Sequence, residues 1–215
     1  MAKVLLGVTG SVAAIRTPTL YRALVASSHE VKVIATDAAL YFFDPAEIGK
    51  PGPDGRDRQA LILDADEWPG RGEGVRYRRD DPVLHIELRR WADVLVIAPL
   101  DANTLAKLAS GLCDNCLTCV WRAWDTSRPV ILAPAMNTLM WEHPLTSRHL
   151  RKLVSAEPPP DLKNEQLIKW INSQNQGVHI VGPIEKNLAC GEIGMGAMAD
   201  VEEIVHAIGN VLRSV

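Results

Sequence analysis

The stretch "DVLVIAPL", residues 93–100, carries no polar side chain after its opening aspartate. A strand with one wet face alternates polar and apolar residues, so this run predicts a strand buried on both faces. Four more runs share its character: "KVLLGVT" (3–9), "EVKVIAT" (30–36), "PVILAPA" (129–135) and "VHIVGP" (178–183). Between them the apolar spacing turns helical, in "SVAAIRTPTLYRALVAS" (11–27), "PVLHIELRRWA" (82–92), "NTLAKLASGLCDNCLTCVWRAW" (103–124) and "MWEHPLTSRHLRKLVS" (140–155). A last helix is expected over "DVEEIVHAIGNVLRS" (200–214). Strands alternating with helices require right-handed crossovers and give a parallel sheet covered on both faces. The expectation is a single doubly wound α/β domain over residues 1–215.

Two segments interrupt the alternation. Residues 49–80 are rich in glycine, proline and charge, with one short strand candidate in "ALILD" (60–64). Residues 155–176 begin with three prolines and continue as a polar helix. Both read as partly mobile surface excursions.

An apolar fraction of 47% supports a sizeable core and argues against disorder. The net charge of −3, with Lys and Arg scattered, gives no reason to expect nucleic acid or an anionic membrane as partner. No apolar run approaches the roughly 18 residues of a membrane span. The amino terminus lacks a signal peptide's cleavage region, and four cysteines do not make a disulfide framework. These features predict a cytoplasmic protein.

Ligands of open α/β sheets sit beyond the carboxyl ends of the strands, so chemistry should collect in the strand-to-helix turns. In "GVTGSVAA" (7–14), Gly7 and Gly10 allow a tight turn and Ser11 can cap the next helix. Such a turn suits a phosphate, although a plain glycine turn reads the same way. Its spacing departs from the Gly-x-Gly-x-x-Gly of dinucleotide folds, and the second strand ends on Thr36 rather than an acid. A mononucleotide fits better than NAD.

In "APLDANTLAKLASGLCDN" (98–115), capping explains one or two of Asp101, Asn103 and Thr104, and the third is surplus. Cys113, Cys116 and Cys119 follow three apart, without the fourth ligand of an iron–sulfur site. That spacing places them on one apolar helix face as structural residues, and no metal is expected. In "DDPVLHIELRRWAD" (80–93), Asp81 reads as N-cap and Pro82 as first helical residue, placing His85 in the first turn as a neutral imidazole. On its own it reads as a surface histidine. "NLACGEIGMGAMAD" (187–200) is a glycine-rich loop able to carry Cys190 over a ligand, or simply a surface turn.

Together with "PAMNTLMWEHP" (134–144), these segments resemble the flavin-dependent cysteine decarboxylases. "PAMN..MW", with the histidine upstream and the Cys-Gly loop downstream, is the specific part. The resemblance implies a Rossmann- or flavodoxin-like fold, FMN as cofactor and a homotrimer with the flavin at a subunit interface. It also implies that His85 and Asn137 of one site can come from different chains.

It implies His85 as active-site histidine, Cys190 as late proton donor and Asn137 as the ligand of the substrate carboxylate. Met140 joins Asn187, Leu188 and Ala189 of a substrate clamp over 185–198, while Met136 and Trp141 pack behind the pocket. Gly10, Ser11, Val12, Thr36, Asp101, Ala102, Asn103, Thr104 and Ala135 match flavin-contacting positions. Asn187 stands where the family often carries a basic residue.

The implied reaction is decarboxylation of 4′-phospho-N-pantothenoyl-cysteine to 4′-phosphopantetheine, in coenzyme A biosynthesis. Temporary oxidation of the substrate thiol would provide the electron sink that the departing carboxylate needs. A regulatory protein-phosphatase inhibitor of the same fold, and a peptidyl-cysteine decarboxylase, are the alternatives. The chain's length leaves no room for a fused synthetase domain, so a stand-alone enzyme is expected.

Overall fold

Alternate side chains of the central strands enter two different cores, as strands without a polar face must. In the computed structural model, which describes residues 1–50, 52, 55–174, 177–187 and 193–213, Val4, Leu6 and Val8 join one core. Leu5, Leu95, Ile97 and Leu132 join the other.

The chain runs β1 (Lys3–Val8), α1 (Thr17–Ala26), β2 (Glu30–Ala35), β3 (Leu61–Leu63), α2 (Leu84–Trp91), β4 (Val94–Leu100), α3 (Ala102–Ser110) and α4 (Cys116–Arg122). It continues with β5 (Val130–Pro134), α5 (Thr138–Glu142), α6 (Pro144–Arg151), α7 (Asn164–Ser173), β6 (Val178–Ile180), β7 (Ile184–Asn187), β8 (Ile193–Ala197) and α8 (Val201–Arg213). Six strands form a parallel sheet in the order β3-β2-β1-β4-β5-β6. Leu20 and Leu24 of α1 and Ile204 and Ile208 of α8 cover one face. Leu88 of α2, Leu105 of α3, Leu117 of α4 and Leu167 of α7 cover the other. The predicted doubly wound sheet is the observed one. None of the described helices is long and apolar enough to cross a membrane.

Several boundaries differ from expectation, and proline explains most of them. The first predicted helix splits into a 3-10 turn (Val12–Arg16) and α1, whose start holds Pro18. A proline has no N–H to give the preceding turn, so the α-helix begins there. The helix expected over 140–155 divides into α5 and α6 at His143, which is extended (ψ 136°) ahead of Pro144. Crowding by the proline ring disfavours helical geometry in the residue before it. Asp81 is not an N-cap. α2 starts two residues after Pro82, with Val83 in the cap position, and the Asp81 carboxylate accepts from the Arg78 N–H.

The long pattern at 103–124 is two helices, separated at Gly111 (φ 72°) and restarted by the Asn115 cap. The three cysteines therefore do not share one helix face. Cys113 is exposed in the connection, whereas Cys116 is buried and Cys119 half-buried in α4. Gly7 serves no turn. It lies inside β1, where a Cβ would stand 2.5 Å from Leu117 Cδ1, so its bareness lets α4 settle onto the sheet.

The two interrupting segments also reach the core. β3 adds to the sheet edge beside β2, with Leu61 and Ile62 buried. α7 buries Leu167, Ile168 and Ile171, so its polar residues cover only its outer side.

Candidate active site

The strand order reverses between β1 and β4, and that switch point opens at the carboxyl edge of the sheet. Thr9 joins the two strand ends. Its hydroxyl donates to the Pro99 carbonyl at 2.8 Å and accepts the Asp101 N–H at 2.8 Å. Asp101 caps α3, accepting the Thr104 N–H at 2.6 Å, which buries Thr104 and leaves Asn103 exposed on the first turn. Gly10 sits in the same crevice. A Cβ there would lie 2.6 Å from Ala38 Cβ and 3.5 Å from Asp101 Oδ2.

The expected cap at Ser11 is present, its hydroxyl accepting the Ala13 N–H at 3.4 Å. Val12 behind it is 46% exposed, an apolar side chain left at the surface beside the crevice. Thr36, at the end of β2, is buried with its hydroxyl unpartnered among the described residues. An enclosed hydroxyl without a partner costs stability unless something completes it. The arrangement fits a flavin mononucleotide: Gly10 cleared of side chain, the Ser11 turn, the Thr36 hydroxyl and the capped start of α3 surround one crevice.

Beyond β4, the Ala135 N–H donates to the Leu100 carbonyl at 2.9 Å, drawing the end of β5 to the same edge. The chain then turns at Asn137. Its side-chain carbonyl accepts the Leu139 N–H at 2.8 Å, which fixes the orientation of the amide at the start of α5. Met136 and Trp141 are core, 9% and 1% exposed, whereas Met140 is half exposed. β7 and β8 form an antiparallel hairpin laid on this turn, the Met136 N–H donating to the Gly196 carbonyl at 2.9 Å. A Cβ on Gly194 would overlap Thr138, and one on Gly196 would overlap the Met136 carbonyl. These glycines let the hairpin touch the Asn137 turn.

Asn187 ends β7 opposite Ile193. Leu188, Ala189 and Cys190 lie outside the described residues. Lys186 next to Asn187 pairs with Asp200, which also binds Arg16 at 3.0 Å. The Lys186 ammonium, and then the Arg16 guanidinium, hold the Asp200 carboxyl below its usual range.

His85 occupies the first turn of α2, as expected. A crossover helix runs against its strands, so this end of α2 also lies at the carboxyl edge. Its Nδ1 is 2.5 Å from Oε1 of Glu67, a buried carboxylate that sequence reasoning missed. Glu67 stands in the glycine- and charge-rich interruption, 18 residues from His85, and no periodicity marks it. Thr9 was missed too, hidden as the last residue of an apolar run.

Burial first, and then the Glu67 charge, push the Cys116 thiol up. Burial likewise raises Cys119 to about 11. Both thiols are protonated at neutral pH, as structural cysteines should be. Asp64, raised mainly by burial, accepts the Cys116 N–H at 3.1 Å.

The described residues hold no cluster of three metal-binding side chains. Residues 1–213 match the family model described as "Flavoprotein". The chain is 44% identical over 211 residues to a mouse protein named phosphopantothenoylcysteine decarboxylase, covering 98% of this chain and 87% of that one. It is 44% identical over 206 residues to the Arabidopsis thaliana protein of that name, covering 96% and 83%. A solved PPC decarboxylase variant complexed with pantothenoylaminoethenethiol superposes with a TM-score of 0.77 at 42% identity, covering 99% of this chain and 98% of that one. The structure described as the FMN binding protein AtHal3 gives 0.72 at 41% identity, covering 100% and 98%.

Proposed function

Since the chain belongs to the flavoprotein family, alongside the phosphopantothenoylcysteine decarboxylases, we propose that it decarboxylates 4′-phospho-N-pantothenoyl-cysteine with FMN in its crevice. One observation carries the reading. The β7–β8 hairpin is fastened onto the Asn137 turn, so the segment bearing Cys190 springs from strands that touch the proposed carboxylate ligand.

Gly10, Ser11, Thr36 and the Asp101–Thr104 turn would hold the flavin. When bound, FMN supplies a two-electron acceptor for the substrate thiol, which makes loss of the neighbouring carboxylate feasible. The remaining tasks belong to the chain. Asn137 binds the carboxylate through an uncharged donor, so it positions the group while stabilising its ionised ground state less than a cation would. His85 Nε2 takes the thiol proton. Cys190 returns a proton to the product carbon after carbon dioxide has left, and its clamp excludes water meanwhile.

The active form is a homotrimer. Glu67, which holds His85, follows β3, and Asn137 follows β5; those strands stand four spacings apart, or roughly 19 Å at about 4.8 Å each. Such a separation is bridged if one chain brings its His85 to a neighbour's Asn137. Leu139, Met140 and Leu145 on one side, and Val12 and Ile15 near the crevice, are among the exposed apolar residues that such a contact would cover.

The test is to offer the FMN-loaded protein two substrates, phosphopantothenoylcysteine and a peptide ending in cysteine. Turnover of the first alone supports the assignment; turnover of the peptide alone overturns it.

A further inference from the structure

Glu67 is 5% exposed and sits in a short 3-10 turn that follows β3. One carboxylate oxygen meets His85 Nδ1, and the other is enclosed without a hydrogen-bond partner among the described residues. Enclosing a carboxylate with half its acceptor capacity unused costs stability, and an apolar residue would fill that space better. The segment around it is nevertheless pinned. Asp66 takes two bonds from Arg56, at 3.1 and 3.0 Å, and accepts the Leu63 N–H at 2.8 Å. Asp64 accepts the Cys116 N–H, tying the same turn to α4. Several contacts therefore fix Glu67 in place, facing the protonated Cys116 thiol on one side and the His85 imidazole on the other.

We propose that Glu67 is a positioning residue for His85, holding the imidazole in the tautomer that carries its proton on Nδ1. An ionised carboxylate can only accept, so Nδ1 donates to it, and in the neutral imidazole Nε2 then keeps its lone pair. The helix start alone does not choose between the two nitrogens; the carboxylate does. Nε2 is thereby the ring nitrogen that receives the substrate proton. This inference rests on the reading of His85 as the residue that takes the thiol proton. The proton moves from substrate sulfur to Nε2, and Glu67 gains and loses none.

The test compares wild type with Glu67→Gln, which keeps the shape and can present either a carbonyl or an NH2 group to Nδ1. In 15N-histidine NMR of the FMN-loaded protein, the His85 signals are identified by their loss in His85→Asn. Wild type should show protonated Nδ1 and unprotonated Nε2, and Glu67→Gln a mixture of tautomers. Turnover should fall about 10- to 100-fold with KM little changed, the range seen when a metal-bound histidine loses its orienting partner. Flavin content and melting temperature should stay close to wild type. If Glu67→Gln fails to fold, the wild-type tautomer still decides, because protonated Nε2 there overturns the proposal. Lost turnover with His85 signals unchanged would also overturn it, since the effect would not pass through the imidazole. An inactive wild type with the expected tautomer would instead sink the decarboxylase reading and leave the Glu67–His85 pairing standing.

Discussion

Replacing Gly196 by alanine tests whether the β7–β8 hairpin must lie on the Asn137 turn. Gly196 has φ +142°, and a Cβ there would overlap the Met136 carbonyl, which is backbone and cannot swing away. Holding an L-residue in that region costs about 1–3 kcal/mol. If β8 moves off instead, the Met136 N–H loses its partner, again about 1–3 kcal/mol for a buried donor. Either way the loss is about 1–3 kcal/mol, and a chain of this size loses about 2–4 °C of melting temperature per kcal/mol. Melting should therefore fall by roughly 2–12 °C. Turnover should fall further than stability implies, about 100-fold, because a displacement near 1 Å at a reacting group has that effect. Flavin content should be kept, since the crevice is built from other turns. Gly72→Ala is the control, with nothing within 4 Å of the new Cβ. Gly196→Ala matching that control in both melting and turnover would refute the reasoning.

Three further substitutions separate the parts of the site. His85→Asn should abolish carbon dioxide release while leaving the flavin bound, and near-normal turnover would return His85 to an ordinary surface role. Thr36→Val should weaken FMN about 3- to 10-fold, the worth of one hydrogen bond near 1 kcal/mol. The apo protein should melt no lower, because an enclosed unpartnered hydroxyl has been removed; an unchanged FMN dissociation constant, measured by fluorescence titration, would take Thr36 out of the flavin site. Cys190→Ser should still release carbon dioxide but yield a product two hydrogens lighter than phosphopantetheine by mass spectrometry, since serine holds its proton far more tightly than a thiol of pKa about 8.5. Only the fully reduced product would remove Cys190 from the proton-donor role.

The buried strands were legible because a strand covered on both faces has no polar positions to confuse the pattern. "DVLVIAPL" became β4, every residue of which is buried. The caps at Ser11 and Asp101 were visible for a similar reason, as polar side chains placed at the ends of apolar runs, whereas the capping roles of Asn115 and Asn137 were not read from the sequence. Helix limits were harder to read. Pro18, Pro144 and Gly111 cut patterns whose apolar spacing continues across the break. Glu67 was out of reach for a different reason: its partner is distant in sequence, its neighbours are charged, and its burial comes from β3 joining the sheet edge. Thr9 offered a faint signal, a threonine closing an apolar strand at the switch point, and its two hydrogen bonds are what bind β1 to β4 there.

The central claim is a decarboxylation without net redox change. Its most direct measurement follows carbon dioxide from carboxyl-labelled phosphopantothenoylcysteine, without oxygen, while the flavin absorbance of the purified protein is recorded. The account predicts many labelled carbon dioxide molecules per flavin, phosphopantetheine as product and a flavin that ends the reaction oxidised. No labelled carbon dioxide from fully flavin-loaded protein, or release that stops at one equivalent with the flavin left reduced, would contradict it.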